Sequence, residues 1–500
     1  MSLAVAYTRT NDGIHAPQVS VEVDLSHGLP GFSIVGLPEA AVRESKDRVR
    51  SAIINSGFEF PNNRITVNLA PADHPKQGGR FDLPVAIGIL AASGQIEQLT
   101  LDAYEFIGEL ALSGQLRTIN AVLPTAFAAH HQGRAIILPE GNAQEAGIIE
   151  NALVLPCNDL MSVVKHLNNQ QPLVAFKRKQ AESKTRYDLD LSEVKGQFQA
   201  KRALEIAAAG GHHLLMVGPP GTGKTMLASR LPGILPAMTQ EEALESASIA
   251  SVSHQGFDFD NWSKRPFREP HHTASAVALV GGGTKIMPGE ISLAHNGVLF
   301  LDELTEFKGR VLDVLREPLE TGRITLSRAA RQADYPAQFQ LVGAMNYCPK
   351  GLDCSEQSVQ CQCSAEQQRR YRNRISAPFL DRIDIQIDVP RLTHAELTCR
   401  NPSETSDTIR ARVCKARAIQ LKRQQMPNHA MGTKQVNEYC QLSATDEALL
   451  GQVVEAFSLS ARACHRILKV ARSIADLEQS VGIQTAHLTE AVSYRSMERA

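Results

Sequence analysis

The residues best equipped for chemistry are Gly218, Pro219, Pro220, Gly221, Thr222, Gly223, Lys224 and Thr225, which read G-x-x-x-x-G-K-T. Glycines in this pattern permit φ > 0, so consecutive backbone N–H groups can turn inward on a polyphosphate. Lys224 would reach the β- and γ-phosphates, and the Thr225 hydroxyl would hold Mg²⁺. Further along, Val298-Leu-Phe-Leu runs into Asp302 and Glu303. Four apolar residues ending in two carboxylates predict a central parallel strand with acid at its C-terminal edge. There Asp302 would hold Mg²⁺, directly or through water, and Glu303 would orient and deprotonate an attacking water. The pair of motifs predicts that ATP is bound and hydrolysed.

That chemistry needs a strand, a glycine loop and a helix in succession. Residues 213–217 read as a buried strand, and residues 226–230 open a helix whose N-terminus adds partial positive charge at the loop. Residues 341–345 are a further apolar strand, ending in the amide Asn346. An α/β nucleotide-binding domain is therefore expected over 191–390, followed by helices over 391–500. Residues 404–425 form a basic amphipathic segment, and two helices are expected within 446–477, the second opened by Ser460-Ala-Arg462.

The preceding residues 1–167 predict a second α/β domain with its own core. Residues 19–24 and 65–69 alternate as strands, residues 39–56 carry apolar positions at helical spacing, and residues 81–92 read as a buried helix. Residues 106–112 and 135–139 are strand-like. Residues 168–190 are polar and charged and read as a linker, whose basic run is more simply a solvated face than a phosphate contact.

The composition is that of a water-soluble globular protein, with 43% hydrophobic and 21% charged residues. A net charge of −1 gives no global signal for nucleic acid, so any such binding must come from local patches. The amino-terminal residues lack a signal-peptide pattern, and the longest apolar stretch, 83–92, is too short to span a bilayer and contains Pro84 and Gly88. These features point to the cytoplasm, with no membrane partner and with reduced cysteines.

Three stretches exceed what a plain phosphate-loop domain needs. Residues 266–275 and 279–290 are rich in Gly and Pro and predict loops or a hairpin. Adjacent His271 and His272 invite a metal reading that no nearby Cys or carboxylate spacing supports. Residues 315–331 predict a helix and then a β-hairpin on which Arg323, Arg328 and Arg331 cluster. Without interleaved aromatics, that cluster suits DNA phosphates better than stacked bases. Cys348, Cys354, Cys361 and Cys363 are candidate ligands for a structural Zn²⁺, although their spacing departs from paired CxxC.

The whole chain resembles magnesium-chelatase-like proteins of the ComM/YifB type. The resemblance rests on Gly31-Phe-Ser-Ile-Val-Gly-Leu-Pro, Val67-Asn-Leu-Ala-Pro-Ala-Asp, Phe81-Asp-Leu-Pro-Val-Ala, the Pro266–Ser275 stretch and Ser292-Leu-Ala-His-Asn-Gly-Val-Leu-Phe-Leu-Asp-Glu-Leu. It implies an AAA+ ATPase core with a helical lid, preceded by an amino-terminal domain akin to the Lon protease domain and ribosomal protein S5. Lon-type proteolysis uses a Ser-Lys pair. Here Arg80 stands where the nucleophile would sit, and Leu123-Pro-Thr-Ala lacks the lysine, so peptidase activity is not expected. The resemblance also implies that Asn346 senses the γ-phosphate and that Arg462 leans onto nucleotide from the lid. It gives Arg382, with Arg374 as fallback, the role of a finger reaching a neighbouring subunit's nucleotide, which requires a homo-oligomer. It implies a ring, expected to be a hexamer, whose glycine-rich insertion lines a central channel where Lys285 touches a DNA strand. Some relatives carry cysteines in a Cys-Pro-Cys-Gly pattern where this chain has Cys348-Pro-Lys-Gly. The implied activity is helicase-driven branch migration on single-stranded and branched DNA during natural transformation. An alternative is a chelatase-like motor acting on a protein or on metal insertion, against which the long amino-terminal domain counts. A nucleotide-switched scaffold is a further alternative, which the intact Glu303 opposes.

Overall fold

The computed structural model describes residues 2–74, 76–178, 187–253, 256–283, 286–328, 331–350, 363–394, 396, 403–457 and 459–495. The chain forms two compact units, residues 1–182 with 247–262, and residues 183–246 with 263–500.

The first unit is built on β1 (Ser2–Arg9), β2 (Gln18–Ser26), β3 (Gly31–Val35), β4 (Arg64–Ala70), β5 (Tyr104–Phe106), β6 (Glu109–Leu110), β7 (Leu116–Arg117), β8 (Ala135–Pro139) and β9 (Val154–Cys157). Seven of these form a sheet in the order β3-β4-β2-β1-β5-β8-β9, and β6 and β7 make a short ribbon. Strict alternation along β2 buries Val19, Val21, Val23 and Leu25 on one face. The helix Asp82–Ala92 packs there and is buried at every residue. Gly88 permits this close approach, since a Cβ there would stand 2.6 Å from Val23 Cγ2. Arg80, fully buried, ties the neighbouring loops by donating to the carbonyls of Asn120 (2.8 Å) and Ala121 (3.3 Å). Its Nη1 lies 3.5 Å from Thr125 Oγ1, so the two positions singled out by the Lon resemblance do meet, but as guanidinium and hydroxyl. Burial pulls Arg80 down to about 10, and Glu145 opposes that shift. Residues 247–262, expected within the ATPase domain, belong to this unit: Ser251 donates to Glu145, and the Arg178 guanidinium lies 5.4 Å from the Trp262 ring centre.

The second unit contains β10 (Leu214–Val217), β11 (Phe267–Arg268), β12 (Gly281–Gly282), β13 (Met287–Pro288), β14 (Val298–Leu301), β15 (Arg323–Arg328), β16 (Arg331–Pro336), β17 (Gln340–Met345) and β18 (Ile385–Asp388). Five form a parallel sheet in the order β11-β14-β17-β10-β18. The residues of β10, β14 and β17 are all buried, as their continuous apolar runs require of a sheet covered on both faces. The carboxy-terminal helices share this core. Ile409, Val413, Val470 and Ile474 belong to the same cluster as Leu214, Met216 and Phe300.

A buried polar knot fixes the entry to β10. Asp384 accepts from the backbone N–H of His213 (3.2 Å) and from Arg466 Nη1 (2.5 Å), and it lies 3.4 Å from His212 Nδ1. His212 Nε2 meets Ser473 Oγ at 2.7 Å, which ties in the helix Ala461–Leu477. Burial disfavours an ionised Asp384, but Arg466 and His212 outweigh it and hold the carboxyl well below its usual range. His213 Nδ1 accepts from the Leu341 N–H at 3.0 Å, which an imidazolium cannot do. Burial, reinforced by Arg466 and His212 against Asp384, pushes His213 down to about 4. The unfolded chain thus binds a proton at His213 that the folded chain refuses. Stability should fall as pH drops from about 6.5 to 4, by up to about 3 kcal/mol from this group. Urea unfolding at stepped pH checks this, and His213→Asn, whose amide oxygen can still accept, should flatten the slope.

Candidate active site

The C-terminal ends of β10, β14 and β17 open on one edge of the sheet, with Val217 in register with Met345 and Leu301 with Gly343. β10 has β17 and β18 as neighbours, while the next sheet strand in sequence, β11, lies at the far edge. Such a reversal of strand order leaves a crevice beyond the strand ends. The loop 218–223 occupies it. Gly218 N–H donates to the Met345 carbonyl at 3.1 Å, and a Cβ on Gly218 would fall 2.2 Å from the Val389 carbonyl oxygen. Gly221 (φ 77°) and Gly223 (φ 90°) hold left-handed conformations beside open space, as a backbone cradle for phosphate requires.

Lys224, the first residue of the helix Lys224–Ile234, is buried. Its Nζ donates to the carbonyls of Gly218 (2.7 Å) and Pro219 (2.8 Å) and to Asn346 Oδ1 (3.3 Å). Burial lowers its pKa, while Asp302 opposes the shift. Thr225 Oγ1 donates to Asp302 Oδ2 at 2.8 Å, and Asp302 Oδ1 accepts from the Glu303 N–H at 2.8 Å. A cleft of about 390 Å³ is lined by residues 220–226, Asp302, Glu303, Met345 and Asn346. A hydroxyl beside a carboxylate is a hard-oxygen donor set that suits Mg²⁺, and the glycine cradle suits a triphosphate. The phosphate-loop residues, Asp302, Glu303 and Asn346 are therefore brought together.

Two residues of the insertion join them. Phe267 pairs with Val298 and Arg268 with Leu299 in the parallel register of β11 and β14. Continuing that register carries residue 272 alongside residue 303. His272 Nδ1 lies 3.0 Å from Glu303 Oε2, and burial followed by the Asp302 charge raises the pKa of Glu269. The missed signal was β11 itself, whose exit must run beside the acidic strand end.

Other expected site residues lie outside the cleft. Arg382 donates to Glu320 and to the Pro378 carbonyl, and Arg374 pairs with Glu306 at 2.9 Å. Arg462 is exposed in the first turn of the helix Ala461–Leu477, with no hydrogen bond or ion pair among the described residues. The three hairpin arginines do not form one cluster. Arg328 pairs in register with Arg331, whereas Arg323 pairs with Pro336 at the other end, about 16 Å away at strand rise. Tyr335 Oη donates to the Ile286 carbonyl at 3.2 Å, so this hairpin packs on the ribbon β12–β13. Lys285 lies outside the described residues, as do Cys354 and Cys361. Cys348 is buried and Cys363 half-buried, and no group of three metal-ligating side chains converges among the described residues. Zinc thus has no support here. Among the described residues no helix is long and apolar enough to cross a membrane.

Residues 190–397 match the family described as magnesium chelatase, subunit ChlI. Residues 21–142 match the family described as subunit ChlI of Mg-chelatase, and residues 403–495 the family described as magnesium chelatase, subunit ChlI C-terminal. The competence protein ComM of Haemophilus influenzae is 50% identical over all of this chain and 98% of its own length. The chain belongs to the ComM/YifB family of magnesium-chelatase-like proteins. The uncharacterized protein YifB of Escherichia coli is likewise 50% identical, over 100% of this chain and 98% of its own. A magnesium-chelatase 38 kDa subunit of Cereibacter sphaeroides is 26% identical over 31% of this chain and 52% of its own. As a member of the ComM/YifB family, the chain carries an AAA+ P-loop ATPase core.

Two substitutions separate binding from hydrolysis. Lys224→Ala should weaken ATP binding by about 100-fold, because it removes the buried cation that would face the phosphates. Glu303→Gln should leave the affinity within about threefold and lower the hydrolysis rate by about 100-fold or more. Equilibrium titration with a fluorescent ATP analogue, alongside phosphate release, checks both.

Proposed function

We propose that this protein is a ring-forming ATPase, hexameric by our reading, that drives DNA translocation, strand separation and branch migration in recombination during natural transformation. Lys224 and the loop N–H groups hold the triphosphate, and Thr225 and Asp302 hold Mg²⁺. Glu303 takes the proton of the attacking water, and Asn346 contacts the γ-phosphate. Arg382 from a neighbouring copy stabilises the transferring phosphoryl group, and Arg462 leans on nucleotide from the lid.

The reading is supported chiefly by connectivity. The hairpin β15–β16 is inserted between β14, which leads into Asp302 and Glu303, and β17, which leads into Asn346. A change at the γ-phosphate would therefore be passed along the chain to the hairpin and, through Tyr335, to the ribbon β12–β13. Arg323, exposed near the hairpin base, and Arg328 and Arg331 in the far pair supply cations for a phosphate backbone. The full-length similarity to a competence protein supplies the setting. The similarity to the 38 kDa chelatase subunit covers only part of either chain, so metal insertion is the weaker reading.

ATP turnover should rise on adding forked DNA or four-way junctions at moderate salt, and labelled junctions should be converted to exchanged products. Replacing Arg323, Arg328 and Arg331 by Ala should abolish that stimulation. It should also reduce the slope of log affinity against log salt by about 1 to 3. If neither branched nor single-stranded DNA binds or stimulates, the DNA reading fails.

A further inference from the structure

Glu303 has an unusual backbone. Its φ is 50°, a left-handed conformation on a residue that is not glycine. Such a conformation persists only where its surroundings over-determine it. The 3₁₀ turn Leu304–Glu306 follows directly, closed by Glu306 N–H on the Glu303 carbonyl at 2.7 Å. Thr305 in that turn is buried, and its hydroxyl donates to the hydroxyl of Tyr371 at 2.6 Å. Burial raises the Tyr371 pKa, against which the Thr305 hydroxyl and the nearby backbone N–H of Asn346 act. Tyr371 is itself buried, on the helix Ala365–Arg372. Arg374, just beyond that helix, pairs with Glu306 and lies 5.7 Å from the Tyr371 ring centre.

One buried phenolic oxygen thus holds the turn that carries the base, beside the residue that follows β17. β14 and β17 are already paired in the sheet, but that pairing stops at Leu301 and Gly343. Beyond it Glu303 and Asn346 have no direct backbone link in the ladder, and the turn after Glu303 is held instead by Tyr371 through Thr305. Removing the hydroxyl leaves a buried threonine donor without that acceptor. The turn would then relax, and Glu303 would lose its aim at the attacking water.

We propose that Tyr371 is a positioning residue for hydrolysis, whose hydroxyl anchors the Glu303 turn through Thr305 so that the base keeps its aim at the attacking water. The inference rests on Glu303 being the base and deepens that assignment. It places Arg374 in the same brace, on its own subunit's turn rather than on a neighbour's nucleotide.

The test is steady-state ATP hydrolysis by the full chain carrying Tyr371→Phe, which keeps the ring and deletes the oxygen. The turnover number should fall about tenfold or more, since small misplacements of a catalytic group are costly, while KM and nucleotide affinity stay within about twofold. Thr305→Val removes the same bond from the other side and should reproduce the loss, and Thr305→Ser should restore it. The double variant Tyr371→Phe/Thr305→Val should be no slower than the slower single, as expected for one shared interaction. Turnover within about twofold of the unmodified protein, or losses that multiply in the double variant, would overturn the proposal. Should Tyr371→Phe not fold, the Thr305→Val and Thr305→Ser pair decides alone, with equal rates counting against it. Glu303→Gln measured alongside separates the two failures. If that variant hydrolyses normally, the base assignment is wrong. If it is inactive while Tyr371→Phe is unaffected, only the tyrosine inference is wrong.

Discussion

The hydrogen bond from Thr225 to Asp302, 2.8 Å long, is the constraint on which the rest of the second unit depends. It joins the end of β10 to the end of β14 across β17, which lies between them in the sheet. A parallel five-stranded sheet with this order is what brings a hydroxyl and a carboxylate from non-adjacent strands to one point. The same geometry sets Lys224 against Asn346 at 3.3 Å. Each contact uses an oxygen or nitrogen that the triphosphate and Mg²⁺ would engage, so the cleft is pre-organised for those ligands.

The opposite end of β10 is held just as firmly. Asp384, His212, Arg466 and Ser473 form a buried polar chain that anchors the lid helix Ala461–Leu477 to the strand that leads into the phosphate loop. A buried charge is tolerable only when it is paired, and Asp384 is paired on more than one side. In the first unit, buried charge is also absorbed structurally. Arg9 lies 2.7 Å from Glu105, and Arg80 is spent on loop carbonyls.

Much of this was legible in sequence because apolar periodicity and glycine chemistry are local. The strands β2, β4, β8, β10, β14 and β17, the buried helix 82–92 and the phosphate loop fall where their patterns put them. Residues whose roles arise from parallel register were not legible. His272 meets Glu303 only because β11 runs beside β14, and nothing in the local pattern of residues 266–275 says so. Tyr371 is a lone aromatic in a polar helix, and its value lies in Thr305, a partner distant along the chain. The arginine cluster failed for a related reason. Hairpin register pairs Arg328 with Arg331 and sends Arg323 to the other end, which residue spacing alone does not reveal until the turn is fixed. Arg466 was not legible either, because its partner Asp384 lies just before β18, whose place beside β10 follows from sheet order.

The central claim is that the cleft around Lys224 and Glu303 works as a site shared between copies, with Arg382 acting on a neighbour's nucleotide. The most direct measurement is ATP turnover in mixtures of two variants, Arg382→Ala and Lys224→Ala, titrated against each other at fixed total protein. Each alone should be nearly inactive. The account predicts that mixing restores turnover to a maximum at intermediate ratios, because intact clefts of the first variant meet intact arginines of the second. Turnover that stays at the weighted sum of the two variants at every ratio would contradict it.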